Sequence, residues 1–391
     1  MTKRILSVDI FRAVTMLLMI FVNDLWTLHD VPHWLEHTTA NEDGMGFSDI
    51  IFPAFLFIVG LSIPFAIGSR ITRGDSKYNI LLHILRRTLA LVLMGFFMVN
   101  QENFNPRAPE MLRTLWDVLM IFAFILIWNN YEGKKVFGKI PVWLFQVTGI
   151  AILVALAFTY KGGTADDPQW MSPHWWGILG LIGWAYLVCA FIYLFSKNRM
   201  GIIIAAWIIL NGLNLMEVIP ASLPLPRFHL IVSASNHVLV MSGVLVTLIY
   251  LRIREKENFA VFGLILLILS GLCIAYGFGV RPYGGISKIM ATPSWTSICA
   301  GISITVFLII FILADVLHYS GWSSVIMPAG QSTLTCYLLP GLLYPILYPL
   351  QQMLPASLLT GVAGLVKSLL FALLTVIIAG WLQKIHIRLK I

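Results

Sequence analysis

Three histidines, His29, His33 and His37, recur at four-residue spacing in a polar loop between two apolar runs. Glu36, Glu42, Asp43 and Asp49 follow closely, and Asn23 stands just before. Such a set admits three chemistries. Imidazoles stacked on one helical face could bind zinc. A short interfacial helix starting near Pro32 would merely turn its polar residues to water. Alternatively, one imidazole, whose charge changes near neutral pH, acts as a base. Acyl transfer needs a base for the attacking amine or hydroxyl and a donor for the developing oxyanion. His37 with Glu36, Glu42, Asp43 and Asp49 supplies base and acid candidates, and the Asn23 amide supplies a donor. The residue types alone leave all three readings open.

The elements that must hold these residues are membrane helices. Apolar residues make up 59% of the 391-residue chain and charged residues 11%, against about 45–50% and 25% in soluble domains. Windows of about 20 apolar residues read as spanning helices. They centre near Leu17, Phe57, Val92, Phe122, Ile150, Tyr186, Ile208, Val244, Leu267, Phe307, Leu342 and Leu370. The expected fold is an all-α polytopic membrane protein of about twelve transmembrane helices in a single domain, 1–391. Pro340, Pro345 and Pro349 should bend or shorten the helix near Leu342.

The net charge of +8 follows from topology, with no need of a nucleic-acid partner. Eighteen of the 26 Lys and Arg residues fall in alternate loops: Lys3, Arg4, Arg70, Arg73, Lys77, Arg86, Arg87, Lys134, Lys135, Lys139, Lys197, Arg199, Arg252, Arg254, Lys256, Lys384, Arg388 and Lys390. The opposite loops hold Arg107, Arg113, Lys161, Arg227, Arg281 and Lys288, while Arg12 and Lys367 lie within spans. By the positive-inside rule both termini are cytoplasmic, as an even helix count also requires. The His37 loop then faces outward, and Asp9 and Arg12 lie at the inner face. Asp9 should pair with a neighbouring arginine. No cleavable leader is expected, because Asp9 and Arg12 interrupt the first apolar run. Cys189, Cys273, Cys299 and Cys336 sit in spans without metal-ligand spacing and read as small apolar residues. The outer loops near 100–112, 161–175, 216–230 and 280–294 should form a cap. No internal repeat is visible, unlike the inverted halves of many transporters.

Ser7-Val8-Asp9-Ile10-Phe11-Arg12, Met19-Ile20-Phe21-Val22-Asn23, His37 and Asp49-Ile50-Ile51-Phe52-Pro53 through Gly60 form an ordered set. It resembles the start of the heparan-α-glucosaminide N-acetyltransferase family. Arg86-Arg87, Lys288 with Thr292-Pro293-Ser294-Trp295, and Gly330-Gln331-Ser332 with Tyr337 extend the likeness, which is strongest over 5–100 and looser after 280. Helices near 113–160 look additional. The stretch from His37 to Asp49 is about two residues longer than the family's, and Gly177-Ile178-Leu179-Gly180-Leu181 lacks the family's Gln and Arg.

The resemblance implies a membrane acetyltransferase carrying acetyl from cytosolic acetyl-CoA to an amino sugar across the bilayer. In it His37 would be the catalytic base, or carry the acetyl itself, and Asn23 would hold the thioester oxygen. Asp49, Glu42, Asp43 and Trp295 would contact substrate. Arg12, Arg86, Arg87 and Lys288 would contact the donor, the arginines lying near the basic inner loops that suit a polyanion; membrane anchoring is the other reading of Arg86 and Arg87. No metal is expected. Expected partners are an amino-sugar acceptor, membrane lipid and a second copy in a homodimer, with the bacterial cell membrane as location. A carrier that moves an amino sugar without chemistry is the competing reading.

Overall fold

The computed structural model describes residues 5–105, 107, 110–131, 140–219 and 233–391. Lys3, Arg4, Lys134, Lys135, Lys139, Arg227 and most of the expected cap segment 216–230 lie outside the described residues. The helices are α1 (Leu6–Asp24), α2 (Ser48–Thr72), α3 (Lys77–Glu102), α4 (Glu110–Trp128), α5 (Val142–Thr159), α6 (Gly177–Ser196) and α7 (Met200–Val218). They continue as α8 (Ala234–Ile253), α9 (Phe259–Gly279), α10 (Pro293–Phe311), α11 (Met327–Gln331), α12 (Thr333–Gln351) and α13 (Gly361–Lys384). Eleven of the described helices are long and apolar enough to cross a membrane. All twelve expected centres fall inside helices, Phe122 lying within the 19-residue α4. The protein is an all-α, multi-pass membrane protein.

Two details differ from the sequence expectation. Residues 327–331 form a separate short helix, α11, broken from α12 at Ser332. Pro340, Pro345 and Pro349 do not end α12, which runs through all three. A membrane bundle tolerates such prolines because neighbouring groups take up the freed backbone carbonyls. Between α5 and α6 a two-stranded ladder pairs Gly162–Gly163 with Pro168–Gln169. Asn100 bonds across to both backbone groups of Ser172, at 3.0 Å each, tying the end of α3 to this loop.

α2 and α8 form the centre. Beyond its first turn, which carries Asn236 and His237, α8 is mostly apolar or small through Leu248, with Ser242, Gly243 and Thr247 among aliphatic residues, and is buried along most of its length. A helix apolar all round belongs inside. Gly60 of α2 and Gly243 of α8 meet backbone to backbone, and a side chain at either would strike the other helix. Phe11, Phe57 and Phe307 pack edge and tilted around this crossing, with ring centroids 6.3–6.4 Å apart.

Two polar ties fix α1. The Asp315 carboxylate accepts from the backbone amides of Leu6 (3.0 Å) and Ser7 (2.9 Å), satisfying orphan donors of the first turn. At the other end, fully buried Asp24 accepts from Lys367 Nζ of α13 at 2.8 Å and from Tyr344 OH of α12 at 3.1 Å. Lys367 also donates to Thr27 Oγ1 at 2.6 Å. An intramembrane ion pair is costly unless its geometry is complete, so this one locks α1, α12 and α13 in register.

Candidate active site

The chain from Thr27 to Phe47 does not form the continuous helix that would stack three histidines. Only the short turn His33–Leu35 is helical, and each histidine turns elsewhere. His29 bridges by backbone to Thr360 and Leu359. His33 Nε2 meets Glu42 Oε1 at 2.7 Å, and His37 Nδ1 meets Asp49 Oδ1 at 2.7 Å.

Asp49 organises the loop. It lies in the first turn of α2, where the helix dipole favours a negative charge, and its side chain is fully buried. Its second oxygen accepts from Thr38 N (3.1 Å), Thr38 Oγ1 (3.0 Å) and Gly46 N (3.0 Å). Trp295 of α10, 2% exposed, supports it from below by donating Nε1 to the Asp49 carbonyl at 3.2 Å. With the Nδ1 proton directed at Asp49, Nε2 is the ring nitrogen whose lone pair can act as a base. The His37 side chain is 47% exposed, so that lone pair is reachable. A base held by an orienting carboxylate is the arrangement general-base chemistry requires.

A second loop, 284–292, closes over this pair. The Asp43 carboxylate accepts from the Ile286 amide at 2.7 Å and from Arg281 Nε at 3.0 Å. The Gly44 amide returns to the Ile286 carbonyl at 2.9 Å. The amide of Ile286 first, then Arg281, holds the Asp43 carboxyl below the usual carboxylate range. His33 does the same for Glu42. The clasp brings Lys288 Nζ to 3.0 Å from His37 Nδ1, 3.3 Å from Nε2 and 3.7 Å from Asp49 Oδ1. Burial pushes the Lys288 ammonium below the ordinary lysine value, against the opposing pull of Asp49.

A cavity of about 490 Å³ runs along the bundle interior, from Ser69 and Arg388–Ile391 at the end away from His37 to Phe55 of α2 and Met19 of α1. Faces of α1, α2, α3, α6, α11 and α12 line it, together with Arg388–Ile391 after α13. Arg12 lies in its wall, donating to Ser62 Oγ (2.6 Å), Asp9 Oδ1 (3.2 Å) and the Gly330 carbonyl (3.4 Å). Arg87 stacks over the Tyr186 ring at 4.6 Å, and its buried Nε has no hydrogen-bond partner among the described residues. Arg388 and Lys390 add further positive charge. Along α1 the lining residues Val8, Arg12, Met16 and Met19 follow helical spacing, and Asn23, exposed, continues the same stripe. Along α2, the stretch from Asp49 to Ser62 measures about 20 Å at the rise of an α-helix.

Residues 4–213 match the profile of a family described as a domain of unknown function, DUF5009. The chain belongs to this family. It is also similar to two heparan-alpha-glucosaminide N-acetyltransferases. The protein of Mus musculus is 36% identical over 177 residues, 40% of this chain and 26% of that protein. The protein of Homo sapiens is 37% identical over 98 residues, 25% of this chain and 14% of that protein. The chain thus spans about a quarter or less of the curated relatives it matches.

The DUF5009 match covers His37, Asp49 and the cavity walls from α1, α2, α3 and α6, whereas Lys288, Trp295 and the residues of α11, α12 and 388–391 lie beyond it. His37 and Asp49 come together. Glu42 and Asp43, expected at the substrate, pair with His33 and Arg281 and remain 38% and 51% exposed. Trp295 is buried under Asp49 rather than open to a ligand. Arg12 and Arg87 share the cavity, whereas Arg86 is exposed and not part of its wall. Lys288, grouped with the arginines by sequence, lies beside His37 instead. Asp9 pairs with Arg12 as expected. Arg388 and Lys390 were legible only as topology signals, and nothing in their spacing marked them as cavity residues. The Asp24–Lys367 pair was equally silent, although an isolated lysine inside a span is itself a cue.

Proposed function

We propose that this DUF5009 protein is a membrane acetyltransferase that moves an acetyl group from acetyl-CoA to the amine of an amino sugar. The observation that carries the reading is the division of the bundle. A cavity with four cationic side chains opens at the end where the termini lie, and a His–Asp pair stands at the opposite end of α1 and α2. Acetyl-CoA is polyanionic, so its phosphates suit Arg12, Arg87, Arg388 and Lys390, and the unpartnered Arg87 Nε awaits an acceptor. The apolar stripe of Met16 and Met19 suits the slender pantetheine arm reaching toward Asn23. By the distribution of basic loops, the cavity faces the cytoplasm and His37 faces outward.

In the reaction, the Asn23 amide donates to the thioester oxygen as negative charge develops there. His37 Nε2 removes the proton from the attacking nitrogen, while Asp49 keeps the ring in the required tautomer and steadies the imidazolium. The carbon–sulfur bond breaks, and the thiolate leaves toward the cavity and takes up that proton. The names of the mammalian relatives support the acetyl group and the amino sugar. The test is to incubate purified protein with labelled acetyl-CoA and a panel of amino sugars. Label should appear in an N-acetyl sugar; its absence from every acceptor would contradict the reading and leave the carrier.

A further inference from the structure

Acetyl transfer to a primary amine poses a proton count that one histidine does not meet. Near neutral pH an alkyl amine arrives largely as its ammonium ion. It must lose one proton before nitrogen has a lone pair, and a second as the carbon–nitrogen bond forms. The Nε2 of His37 holds one proton at a time, because Nδ1–H is committed to Asp49 at 2.7 Å.

Lys288 stands where a second acceptor is needed. Its Nζ is 3.3 Å from His37 Nε2, its side chain is 26% exposed, and it reaches the pocket from a loop held at both edges. Asp43 fixes one edge through Ile286 and Arg281. Thr292 fixes the other, taking the Ser287 amide at 3.0 Å and capping α10. The titratable groups facing the amine are His37 from the first loop, Asp49 from α2 and the buried Cys299 thiol from α10. Asp43–Arg281 and Glu42–His33 close the surrounding loops. Burial weakens the hold of Lys288 on its proton relative to an ordinary lysine, against the opposing pull of Asp49, which balances the charge when Lys288 is protonated.

We propose that Lys288 is the second proton acceptor of this site, taking from His37 the first proton of an ammonium acceptor. This rests on the acetyltransferase reading. The ammonium gives a proton to Nε2, and Nε2 passes it to neutral Nζ, which becomes an ammonium. The freed nitrogen lone pair attacks the thioester carbon, and Nε2 takes the second proton as the carbon–nitrogen bond forms. That proton goes to the departing thiolate. Lys288 then returns its proton to water at its exposed edge. The site is thereby matched to acceptors that arrive protonated, in contrast to alcohols, for which His37 suffices. Lys288 works through His37 and is a positioning and relay residue.

The experiment compares wild type, Lys288→Met and Lys288→Arg, purified at full length, with acetyl-CoA and either glucosamine or hydroxylamine, a weaker base. Arginine keeps the charge and cannot accept a proton. Both variants should lose on the order of 10²-fold with glucosamine near neutral pH. They should regain rate as pH rises through the acceptor's own ionisation, and remain near wild type with hydroxylamine. Wild-type rate in Lys288→Arg would overturn the proposal. So would an equal loss on both acceptors at every pH, with acetyl transfer by the wild type intact. If the wild type transfers acetyl to neither acceptor, the acetyltransferase reading itself falls, and this proposal with it.

Discussion

The two ends of the bundle solve the placing of charge in opposite ways. At the cavity end, Arg12, Arg87, Arg388 and Lys390 line open space, and the buried Arg87 Nε has no hydrogen-bond partner among the described residues. At the His37 end, the three carboxylates nearest the ring are taken: Asp49 by four donors, Asp43 by two, Glu42 by His33. Spare donors suit a large anion that supplies its own acceptors. Saturated carboxylates suit a reacting site, where the protein must fix one imidazole tautomer before substrate arrives. On the proposed function, one end binds the donor and the other reacts.

That contrast breaks most visibly at His37. A positioned base contributes roughly 10²–10⁴ in rate, so His37→Ala should lower acetyl transfer by about that factor. The melting shift produced by CoA should be unchanged, because the cavity's cations Arg12, Arg87, Arg388 and Lys390 lie away from His37; a lost shift would merge the two sites. Asn23→Ala should cost on the order of 10²–10³ in turnover if its amide holds the oxyanion, again with CoA binding retained by calorimetry. Arg87→Ala should reverse the pattern. A charge-assisted hydrogen bond is worth about 1.5–3 kcal/mol, so the variant should bind CoA about ten- to a hundredfold more weakly while saturated turnover falls little.

The smallest effect concerns the clasp between loops. Because the folded Asp43 carboxyl is held below its usual value of 3.8, its contribution to stability is present above that value. It is lost as pH falls through the lower folded value. As pH falls below 3.8, protease cutting of the loop near Asp43 should rise in the wild type, and Asp43→Asn should flatten that dependence.

The sequence displayed the helices because membrane spanning leaves a long apolar run for each one, and every expected centre lies in a helix. Local chemistry was legible where its partners were near in sequence. His37 and Asp49 are 12 residues apart, and Asp9 and Arg12 are three. Contacts spanning the chain were not. Lys288 meets His37 across 251 residues, and Lys367 meets Asp24 across 343. Spacing also misled: the four-residue period of His29, His33 and His37 suggested a helical face. Pro32, Asp49 and the sheet-like contact at His29 instead pull the loop into turns. Glu42 and Asp43 looked available because sequence shows charge without showing who has already claimed it.

The claim that binding and reaction occur at opposite faces is tested most directly in sealed vesicles. Purified protein is reconstituted with labelled acetyl-CoA trapped inside and glucosamine supplied only outside. The account predicts labelled N-acetylglucosamine in the external medium, from those molecules whose basic cavity faces the lumen. Product that forms only when acetyl-CoA and glucosamine share one compartment would contradict it.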